Sequence, residues 1–478
     1  MNNQNNKIKK KKRKINRIIS VILLVVELIL FGMIFYMHVF PLLYVILAFI
    51  LTIIITFGIL ILNFRKKRIL RLLGYLLSII LISIISFGCF YLYNTLGFLF
   101  TVTDGDYAIK TYNVFVLEDS KYKEINDLDD LKIGVNESST KDSLKKIKQE
   151  LNKKIDYKFK KYEDINSLYD GLLKKDVKAI LLESSELELL KEQDINIFNK
   201  LKDIYEIEVK NDIKDLQSAV NINSEPFNIY ISGIDTFGKI NSSSRSDVNI
   251  VLTVNPKKEK ILITWIPRDY YVSINSSKYK DKLTHAGIYG IDSSIYGVEK
   301  LLDTDINYYV KVNFTSLIEI VDLFDGVTVY NESAFYSTGG ERYFKKGNIT
   351  LDGEEALTFV RERKNLSEGD VGRGKNQIKV IEALMDKAMS PEIINKYNSL
   401  LNSLDGAFVT NMNHTTMFSF IRKEIQSRRN WKIESNILSG VDGYEYTYTY
   451  KKTELYVMKP DKDSVSDAKE KINNLLDK

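Results

Sequence analysis

The chain reads as an α/β protein held to a membrane, with three apolar spans, a small α/β domain, and a larger α/β domain on a largely parallel central sheet. Three observations carry that expectation. Residues 18–93 are almost entirely apolar, broken by the single basic cluster RKKRILR. Beyond residue 104, runs rich in Val, Ile and Tyr alternate with amphipathic runs, and strands that alternate with helices form parallel sheets covered on both faces. At 478 residues the chain has room for two or three domains.

A basic stretch, residues 1–17, precedes spans expected at 18–40, 42–64 and 72–93, each near the ~20 residues a helix needs to cross hydrocarbon. Lys and Arg crowd the N-terminus and the link between spans two and three, while MHVFP between spans one and two has neither. Basic loops stay inside, so the N-terminus is expected in the cytoplasm and everything after residue 100 outside. A signal peptide fits poorly, because two more spans follow and no A-x-A-like site appears. The basic N-terminus reads as topology signal and attraction to anionic lipid, not as a nucleic-acid arm. Glu27 inside span one is expected to face a protein partner, because a lone carboxylate in lipid is costly.

The one cysteine, Cys89, lies in span three, which leaves the outer portion without disulfides or Cys–metal sites. His38, His285 and His414 do not cluster, which argues against a zinc enzyme or a Ser-His-Asp hydrolase. The Lys-, Asn- and Ile-rich composition points to an AT-rich bacterial genome, where N-x-S/T sequons carry no meaning.

Residues 104–221 form the accessory α/β domain. YNVFVLE, LKIGVNE and VKAILLES read as strands, TKDSLKKIKQELNK as a helix opened by Thr140, and YEDINSLYDGLLKK and SELELLKEQ as further helices. The module is comparable with half of a solute-binding domain, but no convergent polar site is legible, so it reads as a spacer or scaffold. Residues 226–478 form the second domain. Strands are expected at Asn228–Gly233, Val248–Val254, Ile261–Ile266 and Tyr308–Val312. FTSLIEIVDLF reads as a helix ending at Asp325-Gly326, VTVY as a strand, and DAKEKINNLL as a closing helix.

Chemistry collects at the strand ends, where open α/β sheets bind ligands. NIYISGID delivers Asp235, and LITWIPRDYYV delivers Arg268 and Asp269. ALTFVRER, read as a strand, puts Arg361 and Arg363 on one face. Asp370, Arg373 and Gln377 then form one stripe of a helix starting near Gly369. Arg245 and Asp247 precede a strand and can turn to the same mouth. Any one of these alone reads as a structural ion pair. Together, five arginines would repel one another unless a polyanion fills the cluster. Arginine suits phosphate because its fork donates two parallel hydrogen bonds and stays charged. Asp235 and Asp247 supply hard oxygens for Mg²⁺ (or Mn²⁺), which takes one or two carboxylates plus substrate phosphates. No P-loop, kinase motif or Gly-rich dinucleotide loop appears. Outside the cell, that leaves a pyrophosphate carried by a polyprenyl-linked glycan.

GIDT…RSDVNIVLTVNP, IPRDYYV, THAGIYG, YYVKVNFTSLIEIVDLFDGVTV and ALTFVRERKNLSEGDVGRGKNQ resemble, in order, the motifs of the LytR–CpsA–Psr family. The resemblance runs from Pro226 to about Met458, and the three spans plus accessory domain are similar to its capsule-type members. It implies an α/β/α sandwich with an apolar tunnel for the polyprenyl chain. The implied enzyme is an extracytoplasmic phosphotransferase of a Gram-positive-type cell membrane. It would move teichoic acid or capsular polysaccharide from undecaprenyl pyrophosphate onto peptidoglycan.

By motif, Asp235 and Asp247 would bind the metal. Arg245, Arg268, Arg361, Arg363 and Arg373 would grip the pyrophosphate, joined by Gln377 and the weaker candidate Lys300. Asp269 and Asp370 would orient arginines. The family's last motif commonly has an Arg directly before the Gln. This chain has Asn376 there, with Lys375 as the expected substitute. The implied reaction is attack by a muramic C6 hydroxyl on the sugar-proximal phosphorus, with Arg268 in the catalytic set and Asp247 or Asp370 as base, or no dedicated base. A hydrolase with water as acceptor, and a non-catalytic lipid-binding regulator, are the alternative readings.

Overall fold

The computed structural model describes residues 2–37, 42–102, 107–136, 143–193, 196–212, 220–236, 240, 244–274, 279–390, 408–427 and 429–477. It divides into two compact units, Met1–Thr101 with Asn413–Arg429, and Val102–Met412 with Asn430–Lys478.

The first unit holds α1 (Asn2–Met37), α2 (Leu42–Phe64) and α3 (Arg68–Val102), with a further helix at His414–Ser427. Lys14–Met37, Leu42–Phe64 and Arg68–Gly97 are long and apolar enough to cross a membrane, with mean hydropathies of 3.0, 3.1 and 2.3. The expected end of span one at residue 40 lies outside the described residues. Several polar side chains within these helices bond to neighbouring helices. Thr56 donates to the buried Glu27 carboxylate at 3.1 Å, Asn16 donates to the Asn63 carbonyl at 2.7 Å, and Asn63 donates to Ser78 at 3.0 Å. Hydrocarbon offers no partner, so such groups must face other helices. Glu27 does so, as expected.

The accessory region contains β1 (Tyr107–Leu117), β2 (Leu131–Asn136), α4 (Leu144–Leu151), β3 (Tyr157–Tyr162), α5 (Ile165–Leu173), β4 (Ala179–Glu183), α6 (Ser184–Gln193) and β5 (Leu201–Asp212). Its sheet runs β3-β2-β4-β1-β5, with β2 parallel to β3 and β4, and β1 antiparallel to β4 and β5. Thr140, expected to open a helix, lies outside the described residues; α4 has Ser143 at its N-cap position. Asp164 caps α5 by accepting from Ser167 N–H at 2.7 Å. The sequence reading missed β3 and β5, which are rich in Lys, Asp and Glu because the edges of a sheet meet water.

The second sheet uses β6 (Phe227–Ile234), β7 (Ser246–Asn255) and β8 (Lys260–Trp265). A β9 (Tyr271–Ser273) and β10 (Lys280–Lys282) hairpin, α7 (Leu283–Ala286) and α8 (Ile291–Leu302) follow. Next come β11 (Tyr308–Val312), α9 (Phe314–Leu323), β12 (Val327–Asn331), β13 (Phe335–Tyr336), β14 (Tyr343–Phe344), β15 (Gly347–Leu351), α10 (Gly353–Arg361) and α11 (Gly369–Met389). The chain closes with β16 (Phe408–Thr410), β17 (Lys432–Ile437), β18 (Gly440–Tyr446), β19 (Glu454–Pro460) and α12 (Lys462–Leu476).

The sheet order is β16-β11-β6-β7-β8-β17. It is mixed and not largely parallel as expected. Only β11–β6 and β8–β17 pair in parallel, because the links from β6 to β7 and from β7 to β8 are too short for a crossover. The expected VTVY strand pairs with β15, outside this sheet. Helices cover both faces. Ile295, Val298 and Ile472 of α8 and α12 pack with Tyr230 and Val251 on one side, and Ile378 of α11 packs with Ile250, Ile263 and Trp265 on the other. The result is an α/β/α sandwich. Ile288 and Tyr450 of this region pack among Phe115, Leu182 and Leu189 of the accessory region, and the Tyr450 hydroxyl donates to the Leu189 carbonyl at 2.8 Å.

Candidate active site

Three strand ends build one mouth. β6 and β7 lose register at Gly233/Ile234, and a Cβ on Gly233 would stand 2.7 Å from the Val248 Cβ, so glycine permits the close approach. The bulge carries Asp235 past the sheet, where its Oδ2 accepts from Arg245 Nη2 at 3.2 Å. Asp247 lies at the start of β7. Its Oδ2 accepts from Arg268 Nη1 at 2.5 Å and its Oδ1 from Thr284 Oγ1 at 2.9 Å. Arg268 follows Pro267 at the end of β8, inside a turn closed by Tyr270 N–H to the Pro267 carbonyl.

The other wall is a helix-to-helix corner, which corrects the expectation of a strand through Arg361 and Arg363. Asp352 and Glu355 form a capping box that starts α10, and Ala356, Leu357, Phe359 and Val360 bury at helical spacing. The helix ends at Arg361. Buried Glu362 then takes hydrogen bonds from Thr338 N and Oγ1, Arg363 N and Asn365 N, which pins the corner. Burial raises the Glu362 pKa, but these donors outweigh it and hold the carboxylate below its usual range. Arg361 lies 3.7 Å from Asp235 Oδ1 and stacks on Phe314 with its guanidinium carbon 4.3 Å from the ring centre.

Helix α11 starts at Gly369, as expected, and its Asp370, Arg373 and Gln377 share a stripe. A Cβ on Gly374 would stand 2.5 Å from the Trp265 indole, so this glycine lets the helix lie directly on β8. Arg373 is thereby carried into the sheet. It is 6% exposed, and its Nε and Nη2 have no hydrogen-bond partner. Nη2 is 2.5 Å from Asp370 Oδ1, an ion pair too far off line to count as a hydrogen bond, and both Asp370 oxygens also lack bonds. Arg268 Nε is likewise unbonded, 3.7 Å from Asp269.

These groups open on a cavity of about 810 Å³. Its depth is apolar, walled by Val310, Val312, Phe314, Leu317, Ile320 and Leu384, among others. Its mouth carries six cationic side chains, Arg245, Arg268, Arg361, Arg363, Lys364 and Arg373, against Asp235, Asp247, Glu354 and Glu362. Asp269 and Asp370, set directly against Arg268 and Arg373, balance the remaining two charges, so what the mouth offers an anion is guanidinium N–H groups without hydrogen bonds rather than a charge surplus. Burial and then the Asp247 charge raise the Asp235 pKa, against the pull of Arg245 and Arg361. Burial also pushes Asp247 up, but Arg268, Arg373 and Arg245 more than offset it and hold Asp247 low. Burial raises Asp370, with Arg373 opposing and Asp269 assisting. Burial lowers the Arg373 pKa, despite Asp370.

Asp235, Arg245, Asp247, Arg268, Arg361, Arg363, Arg373 and Gln377 all reach this cavity. Gln377 serves mainly as an anchor, since its Oε1 accepts from Trp265 Nε1 at 2.7 Å and its Nε2 donates to the Val360 carbonyl at 3.3 Å. Asp269 and Asp370 stand beside Arg268 and Arg373 respectively. Lys300 is not part of the mouth; it is exposed on α8 over the Tyr296 ring. Lys375 does not replace the family's arginine, because it pairs with Glu368 at 2.7 Å on the outer side of α11. Asn376 is buried and donates to the Phe359 carbonyl at 3.2 Å, tying α11 to α10. Sequence reading missed Glu362, Thr284 and the Trp265–Gly374 contact, although the GRG spacing was a visible signal for the last.

Two carboxylates close enough to repel fit a divalent cation by donor chemistry. Among the described residues no group of three or more His, Cys, Asp or Glu gathers as a metal set, so a cation there would need oxygens from a bound anion.

Fold and mouth define a class of protein, an α/β/α domain that presents arginines to an anion at the entrance of an apolar cavity. The chain belongs to the LytR_cpsA_psr family, whose model matches residues 194–471. The polyisoprenyl-teichoic acid–peptidoglycan teichoic acid transferase TagU of Bacillus mycoides (strain KBAB4) is 34% identical over 241 residues, covering 50% of this chain and 78% of that protein. The TagU of Bacillus licheniformis is 33% identical over 270 residues, covering 56% of this chain and 84% of its own length. The crystal structure of B. subtilis TagV aligns with a TM-score of 0.44 and 28% identity, covering 53% of this chain and 98% of that one.

Proposed function

We propose that this chain is a phosphotransferase that moves a glycopolymer of teichoic-acid or capsular type from undecaprenyl pyrophosphate onto peptidoglycan. The observation that carries the reading is Arg373, a buried guanidinium at the mouth of an apolar cavity whose Nε and Nη2 make no hydrogen bond, Nη2 being held only by its ion pair with Asp370. Buried N–H donors without hydrogen bonds are costly, and a diphosphate with an apolar tail satisfies those donors and the cavity together. The relatives' names support the same donor and acceptor.

The three spans would hold the protein in the membrane, and the basic N-terminus and basic link between spans two and three support an N-terminus inside and a site outside. The acceptor hydroxyl attacks the sugar-proximal phosphorus and the bond to the bridging oxygen breaks. Polyprenyl phosphate then leaves with the electron pair. Arg268 and Arg373 hold the developing charge, while Arg245, Arg361 and Arg363 fix the diphosphate, so catalysis rests on positioning and electrostatics.

Asp247 is a poor base, being held low and bonded to Arg268 and Thr284. Asp370, raised by burial and with both oxygens unbonded, is the better proton acceptor. Asp235 and Asp247 would hold Mg²⁺ (or Mn²⁺), which would neutralise diphosphate oxygens. Broadening of the bound donor's ³¹P resonances by Mn²⁺, lost in Asp235→Asn, tests that placement. The function itself is tested with full-length protein in nanodiscs and a lipid-linked donor, with and without peptidoglycan. Polymer covalently attached to peptidoglycan is the expected product, and free glycan alone in both reactions would overturn the reading.

A further inference from the structure

One exposed surface is left unused by the site described above. The β18–β19 ladder pairs Tyr444 with Tyr456 and Tyr446 with Glu454, so these side chains share one face. Tyr444 is 66% and Tyr446 49% exposed, so two large rings stand open to solvent on this hairpin. Tyr444 and Tyr456 meet edge to face with centroids 6.2 Å apart. The Tyr456 hydroxyl donates to Asp442 at 2.8 Å, and Tyr271 donates to the Tyr446 carbonyl at 2.8 Å, so the face is held rigid. Rigid, exposed rings bordered by polar groups are suited to the apolar C–H faces and hydroxyl edges of sugars.

The surface is joined to the reacting centre by direct contacts. Met458 N–H of β19 donates to the Asp269 carbonyl at 2.8 Å. Lys282 Nζ lies 3.2 Å from the Asp269 carboxylate and 5.7 Å from the Tyr456 ring centre. Asp269 in turn stands beside Arg268. The run Arg268–Asp269–Lys282–Tyr456–Tyr444 therefore leads outward from the diphosphate grip. None of Asp269, Lys282, Tyr456 or Tyr444 lines the apolar cavity, which leaves Arg268 among β11, α9 and α11. Donor lipid and this face thus occupy different flanks of the same arginine. A transfer reaction needs a second substrate on the flank that the first leaves open.

We propose that the tyrosine face of the β18–β19 hairpin is the docking platform for the acceptor glycan strand. This rests on the transferase reading above. The test is sedimentation of the full-length protein in nanodiscs with peptidoglycan sacculi stripped of attached polymer. Tyr444→Ala/Tyr446→Ala should weaken sacculus binding roughly tenfold, while Tyr444→Phe/Tyr446→Phe, which keeps the rings, should bind as wild type. Stabilisation by polyprenyl pyrophosphate should be the same in all three proteins. Wild-type sedimentation of the Ala variant would overturn the proposal, as would equal loss in the Phe variant. Quenching of protein fluorescence by brominated disc lipids that falls in the Ala variant would assign the face to lipid and also overturn it. Failure of the transferase reading would appear separately, as donor turnover untouched by Arg268→Ala.

Discussion

Two carboxylates of one domain have opposite surroundings. Asp281, fully buried, receives hydrogen bonds from Lys282 N and His285 Nδ1 on one oxygen and from Thr449 N and Oγ1 on the other. Asp370 is half-buried and ion-paired with Arg373, yet neither of its oxygens takes a hydrogen bond and two Arg373 nitrogens make none. The first arrangement is complete and knits the chain segment at Thr449 to α7. The second is incomplete, and the domain carries that cost at the entrance of a cavity. Buried charge is therefore structural where its partners are all present, and points to a ligand where they are not.

Substitutions can break this contrast from either side. Arg268→Ala should reduce transfer per folded molecule by roughly 10³-fold or more, the scale of an arginine that stabilises phosphoryl transfer, and should also lower the melting temperature because it leaves Asp247 without its 2.5 Å partner. Asp281→Ala should cost about 3 kcal/mol in denaturant titrations by stranding its donors, with activity per folded molecule retained.

Asp370→Asn should raise thermal stability at neutral pH. The Asp370 pKa is raised in the fold by burial, so its stabilising contribution is complete below the ordinary carboxylate pKa and is lost as pH rises through the raised value. The gain of the Asn variant should thus vanish when melts are repeated below about pH 4. Lys375→Ala should change stability by no more than about 0.5 kcal/mol and leave transfer unchanged, because its pairing with Glu368 is at the surface.

The accessory junction offers a smaller test. Burial, with Lys110 nearby, lowers the Lys311 pKa to about 8, against the pull of Glu183. Folding therefore favours neutral Lys311, and wild-type stability should rise relative to Lys311→Met as pH increases from about 8 toward the unfolded value near 10.4.

Much of the mouth was legible because its arginines and aspartates sit next to strand ends with strong apolar runs, as at Asp235, Asp247 and Arg268. The corner at Arg361 was not. ALTFVR is apolar enough for either element, and what decides for helix is the Asp352–Glu355 box, a signal just upstream of the run. Glu362 between two arginines looks like a solvated charge in sequence, and only the fold brings Thr338 over it. Lys375 and Asn376 differ by one helical step, about 100°, enough to send one to solvent and the other under α10. Sheet direction was misread because alternation of strands and helices holds for β11 and α9 but not for the β6–β7–β8 meander.

In the proposed reaction, the Arg373 Nε and Nη2 groups that make no hydrogen bond within the fold would bind a lipid diphosphate. The direct measurement is binding of polyprenyl pyrophosphate and polyprenyl monophosphate to the full-length protein in nanodiscs, for wild type and Arg373→Met. The diphosphate should bind wild type more tightly than the monophosphate does, and Arg373→Met should weaken it roughly 100-fold by removing two charge-assisted hydrogen bonds. Equal diphosphate affinity in a folded Arg373→Met protein would contradict it.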